Sequence, residues 1–181
     1  AALAELGVPI IAGVRGQATM EGADCLWLDA QTVVVGEGLR TNAAGVESLR
    51  QALAPLGVAV RTVPVPVGAQ HLLGVVVRLD KDLAVVDMER MTPQLSRLLD
   101  SHGIQQIGLP PDAENRSRRG MNGVVLGPRE WVMPDGGPGI ARALEQYGVK
   151  VHTLGVDAYV QAAGALGCLT AIIRRQRPAA R

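Results

Sequence analysis

The 181 residues contain no phenylalanine, and two Trp and two Tyr are the whole aromatic content. A core of this chain therefore has to be built from Val, Leu, Ile and Ala. The two cysteines are too few for the disulfide framework of a small secreted fold, which points to a reducing, cytoplasmic setting. No apolar run reaches the roughly 18 residues of a membrane-spanning helix, and no secretory pattern is visible at the start, so no membrane partner is expected. A formal charge of +1 offers no footprint for nucleic acid. Two Cys and three His show none of the paired spacings of a metal site. There is no Walker-type loop, and Gly136-Gly137-Pro138-Gly139 resembles one only loosely. No metal or other cofactor is expected.

What is present is a repeat. Leu-Ala-Glu-Leu-Gly-Val (3–8), Leu-Ala-Pro-Leu-Gly-Val (53–58), Leu-Asp-Ser-His-Gly-Ile (99–104) and Leu-Glu-Gln-Tyr-Gly-Val (144–149) vary one theme. Each reads as a helix end, a glycine where a left-handed residue is needed, and a β-branched strand start. The glycines are Gly7, Gly57, Gly103 and Gly148, spaced by 50, 46 and 45 residues, as a repeat architecture would leave them. Hairpin-like pairs precede the helices: 26–28 with 32–35, 75–79 with 83–86, and 124–126 with 131–133. Thr41 or Asn42 caps the first full helix, and Thr92 caps the second with Pro93 at its first position. Ile140, Ala143, Leu144 and Tyr147 mark the third. Strands follow at 58–63, 104–109 and 149–154.

The unit is β-β-α-β, present three times, and the chain opens inside a further unit. Such units cannot bury both faces alone, so the sequence predicts an α/β fold packed radially, a partial propeller, against the alternative of an ordinary mixed-sheet sandwich. Residues 1–173 form one domain in this reading, and 174–181 a loose basic tail. The Arg116, Arg118 and Arg119 cluster reads as solvated surface.

Three scattered residues carry candidate chemistry. Glu21 lies 14 residues after Gly7, and His71 lies 14 after Gly57, so the two can face a common axis. Cys168 follows the small-residue run Ala163-Gly164-Ala165-Leu166-Gly167, where a substrate can approach. Thr170 behind it is a possible donor. Taken locally, Cys168 fits a nucleophile or a structural thiol, His71 an acid/base or a loop residue, and Glu21 with Asp24 a solvated turn. Cys25 reads as core, and His102 and His152 as structural.

At these residues the chain resembles the guanidino-group-modifying superfamily, which includes dimethylargininases, arginine deiminases and amidinotransferases. The matching stretches are Glu-Gly-Ala-Asp-Cys-Leu-Trp-Leu-Asp (21–29), Gly-Leu-Arg-Thr-Asn (38–42), His-Leu-Leu-Gly (71–74), Asp-Lys-Asp-Leu-Ala-Val-Val (80–86), Gly-Met-Asn-Gly-Val-Val-Leu-Gly-Pro-Arg (120–129) and Ala-Gly-Ala-Leu-Gly-Cys-Leu-Thr (163–170). The resemblance implies a pentein-like α/β propeller. It makes Cys168 the nucleophile at a guanidinium carbon, His71 the proton carrier and Glu21 the group that orients it. It also implies that Arg40, Asp24 and Asn122 bind the cationic guanidino substrate, with Arg40 on its α-carboxylate.

Two departures shape the expectation. Deiminases carry Asp two residues after the His, where Leu73 stands here, which favours a dimethylargininase-like hydrolase. The family also extends about one and a half modules further toward the N-terminus, where acidic residues grip the guanidinium. The chain is therefore read as an N-terminally shortened member whose open edges favour a homo-oligomer. Amidino transfer through the same covalent intermediate, and a catalytically silent binding module, are the competing functions.

Overall fold

The four glycines that mark the repeat are all left-handed in the computed structural model, with φ of 72°, 71°, 66° and 71° at Gly7, Gly57, Gly103 and Gly148. Residues 2–109 and 119–174 are described. Arg116, Arg118 and residues 175–181 of the expected tail lie outside the described residues. At each glycine the N–H donates to a carbonyl three residues back, and the next residue donates to one five back. The pairs are Gly57 to Ala54 and Val58 to Leu53, Gly103 to Asp100 and Ile104 to Leu99, and Gly148 to Glu145 and Val149 to Leu144. This closes the last helical turn and turns the chain into a strand.

After the short helix α1 (Ala2–Glu5), the β-β-α-β unit is built three times. The first comprises β1 (Cys25–Trp27), β2 (Thr32–Glu37), α2 (Ala43–Leu53) and β3 (Ala59–Pro64). The second comprises β4 (Val76–Asp80), β5 (Leu83–Asp87), α3 (Pro93–Ser101) and β6 (Gln105–Leu109). The third comprises β7 (Val124–Gly127), β8 (Glu130–Pro134), α4 (Pro138–Glu145) and β9 (Lys150–Leu154). A short helix α5 (Asp157–Gln161) follows. Asn42 caps α2 by accepting from the Gly45 N–H at 2.9 Å, and Thr92 caps α3 by accepting from the Leu95 N–H at 3.3 Å.

Each unit makes its own three-stranded mixed sheet. The hairpin pair is antiparallel, and the strand after the helix returns parallel to the middle strand. The middle strand is covered on both faces, so it reads as an unbroken apolar run rather than an alternating one. Val33, Val34 and Val35 in β2 and all of β5 are buried.

The apolar clusters show why the units are stacked. Leu95 and Leu99 of α3 share one core with Val34 and Val63 of the first sheet and Ala84 and Val86 of the second. Ile140 and Leu144 of α4 share another with Leu83, Val85 and Ile107 of the second sheet and Trp131 and Met133 of the third. Helices α3 and α4 therefore each fill the space between their own sheet and the preceding one, which is the blade-on-blade packing of a partial α/β propeller.

Two arginines latch neighbouring blades at their hairpin turns. Arg78 at the second turn donates to the carbonyls of Trp27 (2.9 Å) and Leu28 (2.6 Å) in the first hairpin and to those of Asp80 and Lys81 in its own. Arg129 in the third turn donates to the carboxylates of Asp80 (3.2 Å) and Asp82 (3.1 Å) in the second. The Asp-Lys-Asp break between strands is thus a receptor for the next blade.

A β-carbon on Gly103 meets nothing within 4 Å, so its requirement for glycine is purely conformational. Gly103→Ala is expected to cost about 1–2 kcal/mol, the penalty of an L residue in the left-handed region. Urea unfolding reads this directly, and an unchanged midpoint would mean the turn is not left-handed.

Candidate active site

Glu21 and His71 stand in the same local setting, one blade apart. Each is an extended residue directly before a single 3-10 turn, Glu21 before Gly22–Asp24 and His71 before Leu72–Gly74. Each turn leads into the first strand of its blade. Asn122 precedes the first strand of the third blade, and Cys168 sits in a later 3-10 turn, Leu166–Leu169. Glu21, His71, Asn122 and Cys168 line one cleft of about 610 Å³.

The Glu21–Asp24 segment is clamped by the Arg40-Thr41-Asn42 stretch. Arg40 Nε donates to Glu21 Oε1 at 2.6 Å, and a second guanidinium nitrogen pairs with the same oxygen. The Thr41 hydroxyl accepts from the Glu21 N–H at 3.1 Å and donates to Asp24 Oδ2 at 2.6 Å. Asn42 accepts from the Thr19 N–H at 3.1 Å and donates to the Gln17 carbonyl at 2.8 Å.

Asp24 extends this clamp to the next blade. Its side chain is 1% exposed, and Oδ1 accepts from the Leu72 N–H at 3.0 Å. His71 therefore stands between two carboxylates. Glu21 Oε2 lies 3.3 Å from Nε2, and Asp24 Oδ1 lies 3.4 Å from Nδ1. Nδ1 is buried and makes no hydrogen bond of good geometry.

The expected residues thus fall into two groups. Glu21, His71, Cys168 and Asn122 meet at the cleft. Asp24 does not line it and instead lies beneath His71, while Arg40 lies beside Glu21 and outside the lining residues. Thr170 does not reach the sulfur: its hydroxyl donates to the Leu166 carbonyl at 3.1 Å. The donor to Cys168 Sγ is Asn122 Nδ2, at 3.0 Å. Sequence reasoning missed three charged residues that line the cleft, Asp87, Arg90 and Arg119. Asp87 ends the buried strand β5, a position from which a polar side chain reaches a cleft, and that is the signal that was available. Arg119 shows none.

A family model described as arginine deiminase matches residues 3–117. The chain belongs to the arginine deiminase family. A curated N(G),N(G)-dimethylarginine dimethylaminohydrolase from Streptomyces coelicolor is 30% identical over 156 residues, 86% of this chain and 55% of that protein. Among solved structures, an inosamine-phosphate amidinotransferase from Streptomyces griseus superposes with a TM-score of 0.78 at 19% identity, over 91% of this chain and 49% of the other. The DDAH from Pseudomonas aeruginosa, solved with citrulline, gives 0.64 at 20%, over 81% and 52%. This member of the arginine deiminase family therefore spans about half the length of the relatives it matches, and its guanidino-modifying superfamily and propeller-like fold are those the sequence predicted.

The family member's second thiol, Cys25, is half-buried, whereas Cys168 is exposed. Burial, with a smaller contribution from the Asp24 charge, pushes Cys25 up from 9.0 to about 11. A raised thiol pKa stabilises the fold fully below pH 9, and that contribution is lost as pH rises toward 11. Cys25→Ala is accordingly expected to flatten the fall in stability between pH 9 and 11, read by urea unfolding across that range. An identical fall in the variant would show that Cys25 is not the group responsible.

Proposed function

We propose that the cleft is the active site of a cysteine-dependent hydrolase that acts on the guanidino group of an arginine derivative, as the dimethylargininase-like relatives do. The observation that carries this reading is the convergence of Glu21, His71 and Cys168 on one cleft from three separate segments. Membership in the arginine deiminase family supports it.

The chemistry follows from the parts. The Cys168 thiolate adds to the guanidinium carbon, forming a C–S bond while the C=N electrons move to nitrogen. His71 protonates the amine that departs as the C–N bond breaks, leaving a thiouronium on Cys168. Water then adds to the same carbon and gives one proton to His71. The C–S bond breaks, sulfur regains its electron pair, and the hydroxyl proton passes to solvent as the ureido product forms. Glu21, 3.3 Å from His71 Nε2, orients the imidazole and offers its carboxylate to the cation. Arg40 holds that carboxylate, and its half-exposed side chain leaves it free to meet the carboxylate of the substrate as well.

Ureido product is expected from arginine or a methylated arginine, with none from Cys168→Ser and about 10²–10⁴-fold less from His71→Ala. Transfer of the amidino group to an added amine instead of water would identify a transferase. No Cys168-dependent product from folded protein with any of these substrates would overturn the hydrolase reading in favour of a binding module.

A further inference from the structure

Among the described residues, the side chain that hydrogen-bonds the sulfur of Cys168 is neither His71 nor Glu21. It is Asn122, whose Nδ2 donates to Sγ at 3.0 Å across 46 residues of sequence. We propose that Asn122 is the positioning residue of the nucleophile: its amide holds the sulfur in place and stabilises the thiolate. The proposal rests on Cys168 being the nucleophile of the proposed reaction.

Three features support the assignment. The first is chemical. A thiolate accepts hydrogen bonds and cannot donate them, so the NH2 group of the amide is the half that belongs against it. Hydrogen bonds to an ionised acceptor are the strong ones.

The second is the way the contact is framed. Asn122 is held by its own N–H, which donates to the Arg119 carbonyl at 2.8 Å, and the Gly167 N–H donates to the Asn122 carbonyl at 3.3 Å. The segment before β7 and the turn that carries Cys168 are thereby tied by backbone and side chain together. Arg119 itself has a left-handed φ of 54°, so the chain bends sharply just before the amide.

The third is what the contact costs. The Asn122 Oδ1 atom is buried and has no hydrogen-bond partner. A β-carbon on Gly167 would lie 2.6 Å from it, so residue 167 must be glycine for the amide to sit where it does. Folded proteins rarely leave a buried amide oxygen unpaired, and functional positions are where they do. Here the unpaired oxygen is the consequence of turning the other half of the amide toward sulfur.

The test is alkylation of Cys168 by iodoacetamide, followed site by site by mass spectrometry in the absence of substrate. Three variants of the chain are compared with wild type as a function of pH. Asn122→Leu keeps the size and removes the donor. Its alkylation at neutral pH is expected to fall about tenfold, with the pH profile displaced upward. Asn122→Asp keeps the shape and places an acceptor and a charge on the sulfur, so it is expected to be slower still. Gly167→Ala pushes the amide aside and is expected to follow Asn122→Leu.

A purely structural Asn122 reverses the order, because Asp is the closer isostere. Wild-type reactivity in Asn122→Asp, or reactivity above that of Asn122→Leu, overturns the proposal. Should circular dichroism show that the Asn122 variants do not fold, Gly167→Ala decides alone, and its retention of the wild-type rate and pH profile is equally fatal. Because alkylation needs no turnover, its result is separate from that of the product assay with Cys168→Ser, which tests the hydrolase reading.

Discussion

A single buried carboxylate joins the first blade to the second and fixes the place of the imidazole between them. Asp24 accepts from the Thr41 hydroxyl at 2.6 Å on one oxygen and from the Leu72 N–H at 3.0 Å on the other. The first bond locks the Glu21–Asp24 segment onto the loop before α2. The second draws in the 3-10 turn that follows His71. Hydrogen bonds to a charged acceptor contribute about 1.5–3 kcal/mol each, and a buried carboxylate deprived of them is costly. The geometry between Glu21 and His71 is thus a by-product of satisfying Asp24.

The repeat explains why such a junction can exist. Every blade has the same plan: a turn leading into a first strand, a hairpin, a helix and a parallel return. Stacking blades through shared helix-filled cores brings the segments that lead into successive first strands to one end of the structure. Arg78 and Arg129 fasten the opposite, hairpin-turn side of the same junctions with bonds to the preceding turn. The second blade is therefore fixed to the first at both ends of its first strand, and chemistry-bearing residues far apart in sequence are held at one cleft. The likeness in fold to dimethylargininase and amidinotransferase structures accords with this plan.

Much of this was legible in the sequence, for identifiable reasons. The left-handed glycines, the Asn42 and Thr92 caps and the strands after Gly57, Gly103 and Gly148 are local signals, and the structure places them within a residue or two of the sequence reading. Among the described residues, no strand directly follows Gly7. The cleft members Glu21 and His71 were visible because one interval recurs in two repeats. The contacts of Asp24 with the Leu72 amide and of Arg40 with Glu21 were not legible. Whether a carboxylate faces a ligand or a neighbouring amide depends on packing between blades, which leaves no trace in spacing. For the same reason Thr170 was a candidate donor to Cys168, where in the structure it caps its own turn and Asn122 reaches the sulfur from the third blade. Asp87, Arg90 and Arg119 lie outside any motif and enter the cleft only through the fold.

The measurement that bears most directly on the junction is amide hydrogen exchange at Leu72 in the wild-type and Asp24→Ala proteins. If the carboxylate ties the blades, protection of Leu72 falls about tenfold or more in the variant beyond any change at the central-strand amides of Val34 and Val85. Equal protection of Leu72 in both proteins would contradict a junction built on Asp24.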